Sequence, residues 1–256
     1  PNETGGFHHS YGVFARQFDN DGTPSSTAQL TGGIADEIIV MADGQIGLNV
    51  DLGGGQDTLT LGDTRDTLTV ANVETVNLGG GDDFVQVTGA SSAYVDGGAG
   101  NDVLIGGAGN DVFVFDTGDT LRVDGGAGAD VLRFDGSATS LDITSASATP
   151  FENFEEVDLT GTGNNTLVLN ERAVLRLTDG VNATADTANV TSASGVTSAA
   201  NTLIVSGNSG DQGNRSGGSA LTGAGADVTI DGQGYSVFTG NSTQAVRVVD
   251  NEIRFS

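Results

Sequence analysis

The chain contains no Cys, no Trp and no Lys; all nine of its basic residues are Arg. Without Cys there are no disulfides and no thiolate metal sites, so a small extracellular domain of this composition would need a metal to brace it. Without Trp, and with 11 Phe and 3 Tyr in 256 residues, there is little material for stacking sugars. Nine cationic side chains against 34 acidic ones leave a formal charge of -25. That balance excludes nucleic acid and anionic membrane surfaces as direct partners. No apolar run approaches ~18 residues, so no helical span of a membrane is expected.

What is abundant is Gly, 41 residues, and carboxylate. A polyanion of this kind repels itself until counter-ions arrive. Hard oxygen donors suit calcium best among common divalent ions. The hydrophobic fraction of 36% and the regular spacing of the glycines argue against disorder.

That spacing is an internal repeat of nine. Gly97 to Ile105 and Gly106 to Val114 abut as Gly-Gly-Ala-Gly-Asn-Asp followed by three strand-forming residues, and Gly125 to Arg133 repeats the pattern. Degenerate copies run Leu52 to Thr60, Leu61 to Thr69 and Leu78 to Gln86, with a weaker one from Thr31 to Ile39 containing Asp36. The sixth position is always Asp, and the eighth is apolar: Ile38, Leu59, Leu68, Val85, Leu104, Phe113 and Leu132. Six residues make a tight turn whose glycines adopt angles closed to other residues and expose carbonyls. Three make a short strand whose middle side chain points inward. The expected fold is all-β, a parallel β-roll or β-solenoid with coils stacked at roughly 4.8 Å.

These units resemble the RTX family, whose repeat is G-G-x-G-x-D-x-U-x with U apolar. The resemblance implies a calcium-filled roll, export as an unfolded chain through a bacterial type I channel, and folding on external calcium. The implied cofactor is Ca2+, several ions. Candidate ligands are the side chains of Asp57, Asp66, Asp83, Asp102, Asp111, Asp119 and Asp130. The turn positions Gly97, Ala99, Gly106, Ala108, Gly125 and Ala127 join them, with only backbone carbonyls to offer. Successive turns alternate between two edges. Counting places Asp66, Asp83 and Asp102, continued by Asp119, on one edge and Asp111 with Asp130 on the other. Asp111 with Asp130 and Asp83 with Asp102 are the pairs expected to share ions. The acid-free turn from Thr88 to Ala93 is expected to hold none.

A second repeat joins Asn72-Val73-Glu74-Thr75-Val76-Asn77-Leu78 to Asn153-Phe154-Glu155-Glu156-Val157-Asp158-Leu159. In the turn after the second copy, Asn165 takes the ligand position. Asn keeps an oxygen but loses the charge, so calcium is expected to be weak or absent there. The stretch from Phe151 to Leu177 resembles the C-terminal modules of large repetitive RTX adhesins. The expected organisation is the end of an upstream β repeat at 1–30 and the calcium roll at 31–136. A degenerate solenoid with a Thr/Ser/Ala-rich loop follows at 137–217, then a hairpin cap with a possible secretion signal at 218–256. Two hairpins are expected in that cap, one around Asp231 to Gly234 and one around Asp250-Asn251.

Pro1 is preceded by no initiator Met and no leader is visible, so the chain reads as the C-terminal part of something longer. Asp19-x-Asp21-Gly22 reads as a hairpin turn before it reads as a calcium loop, since it lacks an EF-hand's distal Glu. His8 and His9 point to opposite faces of a strand and make no zinc site. No nucleophile elbow or phosphate loop is present, and no enzyme is expected. The expected role is a secreted, extracellular or cell-surface structural and adhesive module. Its expected partners are calcium, further copies of itself or a matrix polysaccharide. The rivals are a self-assembling layer or filament subunit, and a polysaccharide-binding or secretion module of a secreted enzyme or toxin.

Overall fold

A computed structural model describes residues 29–119, 121–136, 139–144, 151–178, 202–208 and 211–215, and beyond them 222–223, 228–230, 233–239, 247–251 and 254–255. His8, His9, the segment 11–22 and the Thr/Ser/Ala-rich stretch 181–200 lie outside the described residues, as do Asp231 and Gly232.

The first twelve strands are β1 (Gln29–Thr31), β2 (Ile38–Val40), β3 (Ile46–Asp51), β4 (Thr58–Thr60), β5 (Thr67–Ala71), β6 (Thr75–Asn77), β7 (Phe84–Thr88), β8 (Tyr94–Asp96), β9 (Val103–Ile105), β10 (Val112–Phe115), β11 (Arg122–Asp124) and β12 (Val131–Phe134). Odd strands pair in parallel in one sheet and even strands in a second, so each coil contributes one strand to each sheet. Three- to six-residue strands of this kind cannot bury a core alone; stacking makes the core continuous. Along each strand the pleat sends alternate side chains inward. Leu59, Leu68, Val76, Val85, Val95, Leu104, Phe113, Val123 and Leu132 are accordingly buried between the two sheets.

The turns need Gly where coils touch. Gly98 has φ 76°, and a Cβ there would collide with the Gly79 carbonyl oxygen of the preceding coil. A side chain would be both strained and excluded.

The first unit departs from the expected register. Ile39, not Ile38, pairs with Leu59 and is buried, while Ile38 is 72% exposed. The turn therefore runs one residue later, Glu37 takes the sixth position in place of Asp36, and a one-residue slip moves each side chain to the other face.

Beyond β12 come β13 (Ser140–Asp142), β14 (Phe151–Glu152), β15 (Glu156–Asp158), β16 (Thr166–Leu169), α1 (Glu171–Leu177), β17 (Thr202–Ser206), β18 (Gln212–Arg215), β19 (Thr222–Gly223), β20 (Val228–Ile230), β21 (Gln233–Thr239), β22 (Arg247–Asn251) and β23 (Arg254–Phe255). β14 ends the first sheet, while β15, β17 and β22 extend the second. A third parallel sheet runs β13-β16-β18-β23. Phe rings seal the junction: Phe113 meets Phe154 edge-on at 6.0 Å, and Phe115 meets Phe134 and Phe151 at 5.0 and 5.4 Å.

Helix α1 was not expected in an all-β chain. The Asn170 side chain caps it by accepting the Ala173 N–H, and Ala173, Val174 and Leu177 bury one face. The hairpin expected at 228–238 is present as antiparallel β20 and β21. The one expected around Asp250-Asn251 is not: both residues lie in β22, which pairs with β17, and β23 pairs with β18 in the third sheet. Antiparallel β21, with β19 outside it, ends the second sheet on the side of β22. No helix among the described residues is long and apolar enough to cross a membrane.

Candidate metal centre

Each sixth-position Asp points into the roll and hydrogen-bonds the turn before it. On the edge leading into the odd strands, the Asp66 Oδ1 accepts the Gln45 N–H. The Asp83 Oδ1 accepts the Asp66 N–H at 2.6 Å, that of Asp102 accepts the Asp83 N–H at 2.8 Å, and that of Asp119 accepts the Asp102 N–H at 3.2 Å. On the opposite edge, the Asp111 Oδ1 accepts the Ala93 N–H at 2.8 Å and the Asp130 Oδ1 accepts the Asp111 N–H at 2.7 Å. Asp57 is on this second edge and accepts the Glu37 N–H at 2.7 Å. Turn-counting thus assigns the edges as the structure does, and Asp83 with Asp102, and Asp111 with Asp130, are direct neighbours. In the acid-free turn Ala93 holds the ladder position, which no side-chain oxygen fills.

The carboxylates are buried, and each uses its Oδ1 in the ladder. Asp57, Asp66, Asp83 and Asp102 each keep an Oδ2 that is shut off from solvent and has no hydrogen-bond partner. Leaving a buried acceptor unpaired costs about 1–3 kcal/mol, more when it is charged. Four such oxygens facing the turns are what a cation would relieve, and an all-oxygen lining suits calcium. Asp111 and Asp119 differ. The Asp111 Oδ2 accepts the Gly107 N–H at 3.0 Å, and the Asp119 Oδ2 accepts that of Asp116 at 3.3 Å.

The first-position glycines lie against these carboxylates. A Cβ on Gly97 would run into the Asp102 Oδ2, and one on Gly106 or Gly125 would crowd the Oδ2 of Asp111 or Asp130. Glycine keeps this space open. The third-position residues knit turn to turn: the Ala99 carbonyl accepts the Gly81 N–H at 2.8 Å, while the Ala108 and Ala127 amides donate to Gly89 and Gly107. The Ala99 oxygen thus has one lone pair left for a cation. Among the described residues, no three His, Asp or Glu side chains gather into a metal site of their own. A cation in these turns would therefore draw on backbone carbonyls as well as the aspartates.

Three acids in the ladders escaped turn-counting. The Glu74 Oε2 accepts the Asp57 N–H at 2.8 Å, and the Glu155 Oε2 accepts the Asp130 N–H at 2.7 Å. Glu37 is the third, brought in by the shifted first turn. At Glu74 and Glu155 the corner shrinks to three residues, opened by Asn72 at φ 51° or Asn153 at φ 60°. Glu, one methylene longer than Asp, spans the distance that the shorter corner leaves. The recurring Asn-x-Glu was the visible signal for both.

Burial dominates the protonation of these groups. It pushes Asp102 up to about 7, with the neighbouring charges of Asp119, Asp83 and Asp116 adding to it and the Asp83 N–H opposing. Asp83 and Asp119 rise to about 6, again through burial first. Asp57, Asp66 and Asp111 move upward for the same reason. A carboxyl whose folded pKa is raised contributes stability that is full below its unfolded value of 3.8 and lost as pH rises through the folded value. In chelator the roll is therefore expected to gain β structure as pH falls from 8 to about 5. Far-UV circular dichroism at constant ionic strength checks this. A β signal that fades on acidification contradicts it.

The family model described as the RTX calcium-binding nonapeptide repeat (4 copies) matches residues 87–121, the coils holding Asp102, Asp111 and Asp119. No curated protein and no solved structure matches the chain. Residues 87–121 thus carry RTX-type calcium-binding nonapeptide repeats, set in a β-roll with one strand per turn, two parallel sheets and aspartates buried in the turns.

Proposed function

We propose that the chain is a non-catalytic extracellular module of a bacterial surface or matrix protein, exported through a type I channel, folded by calcium and used in adhesion. The observation that carries the calcium part is the set of four buried Asp Oδ2 atoms without a hydrogen-bond partner. With a formal charge of -25 as well, the roll is poorly stable without cations. Intracellular calcium is too scarce to fill weak sites, whereas millimolar external calcium fills them. Support for a load-bearing role comes from the second sheet, which continues from β2 through the roll to β22. Tension along the solenoid axis would be shared by that ladder once the charges are neutralised.

Self-assembly into a layer or filament is the second reading. It draws on the N-terminal end of the roll, where Ile38, Val40 and Ile46 are exposed. Circular dichroism and sedimentation during calcium and magnesium titrations test both. A coil-to-β transition with calcium, and not with magnesium, which gives up its water reluctantly, is the expected result. A rise in mass with calcium would favour assembly. A fold complete in chelator would sink the calcium switch.

A further inference from the structure

The turns of the third sheet occupy the same ladder position as the aspartate turns, yet close differently. Asn165 is fully buried there. Its Oδ1 accepts the Thr139 N–H at 3.0 Å, and its Nδ2 donates to the Leu159 carbonyl of its own turn at 3.0 Å. One turn on, Asp211 has both oxygens engaged: Oδ1 by the Asn165 N–H and Oδ2 by the Asn208 N–H, each at 2.7 Å. The Asn208 side chain crosses between the two turns. Its Nδ2 donates to the carbonyls of Thr160 at 3.2 Å and Gly161 at 3.3 Å.

The contrast with the roll is one of polarity. In the aspartate turns carboxylate oxygens share the lining with carbonyls, and four of those oxygens lack a partner. In the third-sheet turns, side-chain amide N–H groups face the carbonyls, and a primary amide brings two donors. The amide donors are neutral, and the buried carboxylate of these turns, Asp211, has each oxygen held by a backbone N–H. Asn165 and Asp211 are as buried as the roll aspartates, but neither has an unpaired oxygen.

We propose that the contacts around Asn165, Asn208 and Asp211 lock this part of the solenoid without metal, the amides of Asn165 and Asn208 standing where a cation would stand in the roll. Strands β15, β16, β17 and β18 then stay folded when calcium is withdrawn. The chain has two parts, one metal-dependent and one metal-independent, joined through the pairing of β12 with β15. The contrast between the parts rests on the calcium-folding reading above; the amide lock does not.

Hydrogen exchange read by mass spectrometry on the full chain, in chelator and in millimolar calcium, tests this. In chelator, β15 to β18 are expected to exchange at least about tenfold more slowly than β4 to β10. Equally fast exchange in both parts overturns the proposal and leaves the calcium switch intact. Slow exchange of β4 to β10 in chelator sinks the switch instead, and the lock then stands or falls on a variant. Asn208→Asp, of the same shape, puts an oxygen opposite two carbonyls. It is expected to remove protection of β16 and β18 in chelator and to regain it with calcium. Protection unchanged in chelator, or a loss that calcium does not reverse, overturns the lock.

Discussion

Exchanging Asp102 for Asn is expected to act in opposite directions on the two states of the roll. In chelator at pH 8 the thermal midpoint should rise. In calcium, half-folding should require about tenfold more ion, equivalent to roughly 1.4 kcal/mol. Asp102 is fully buried, its Oδ1 holds the Asp83 N–H, and its Oδ2 has no partner. Burial pushes its pKa up to about 7, so at pH 8 the metal-free roll keeps a charge it does not solvate. Asn retains the Oδ1 acceptor and removes the charge, which relieves the metal-free state. With calcium present, the same exchange deletes an anionic ligand. Thermal melts followed in the far-UV, with and without calcium, separate the two effects. Destabilisation in both states would reduce Asp102 to a ladder hydrogen bond, and stabilisation in both would remove it from the metal site. Asp82, exposed beside Asp83, is the control, and Asp82→Asn should move neither state comparably.

Phe113→Ala is expected to cost about 3–5 kcal/mol in saturating calcium, a large part of the stability of an ordinary domain. The ring is fully buried, stacked between Val95 and Leu132 along the second sheet and edge-on to Phe154. In a solenoid each coil touches only its neighbours, so a cavity here weakens the coupling of the coils on either side. Urea unfolding should shift to a lower midpoint and broaden, as residues before and after 113 lose cooperativity. A loss under about 1 kcal/mol would mean that the neighbours collapse into the space, contrary to a closely packed core.

Much of the roll was legible because its pattern is local. An Asp and an apolar residue two places later define a turn and an inward strand, and counting turns assigns the edges. Where two registers satisfied that pattern, the sequence did not choose. Ile38 and Ile39 are both apolar, and Asp36 and Glu37 both acidic. Pairing with Leu59 selects Ile39, and Glu37 follows it into the ladder. The Asn-x-Glu repeat was visible, but its purpose was not. The reach of Glu74 and Glu155 matters only once the amides of Asp57 and Asp130 are known to wait opposite.

By itself the sequence determined the repeat, the all-β class, the buried face of nearly every coil and the aspartates that line the turns. Those follow from backbone angles and side-chain alternation within nine residues. The tertiary structure alone decided which aspartate oxygens stay unpaired, that the stack splits into a third sheet after β12, that residues 171–177 are helical, and that Asn208 bridges two turns. Each depends on groups that come together only when coils stack, such as Asn165 and Asp211, 46 residues apart in the chain. No spacing rule within one repeat encodes a contact between coils with insertions between them.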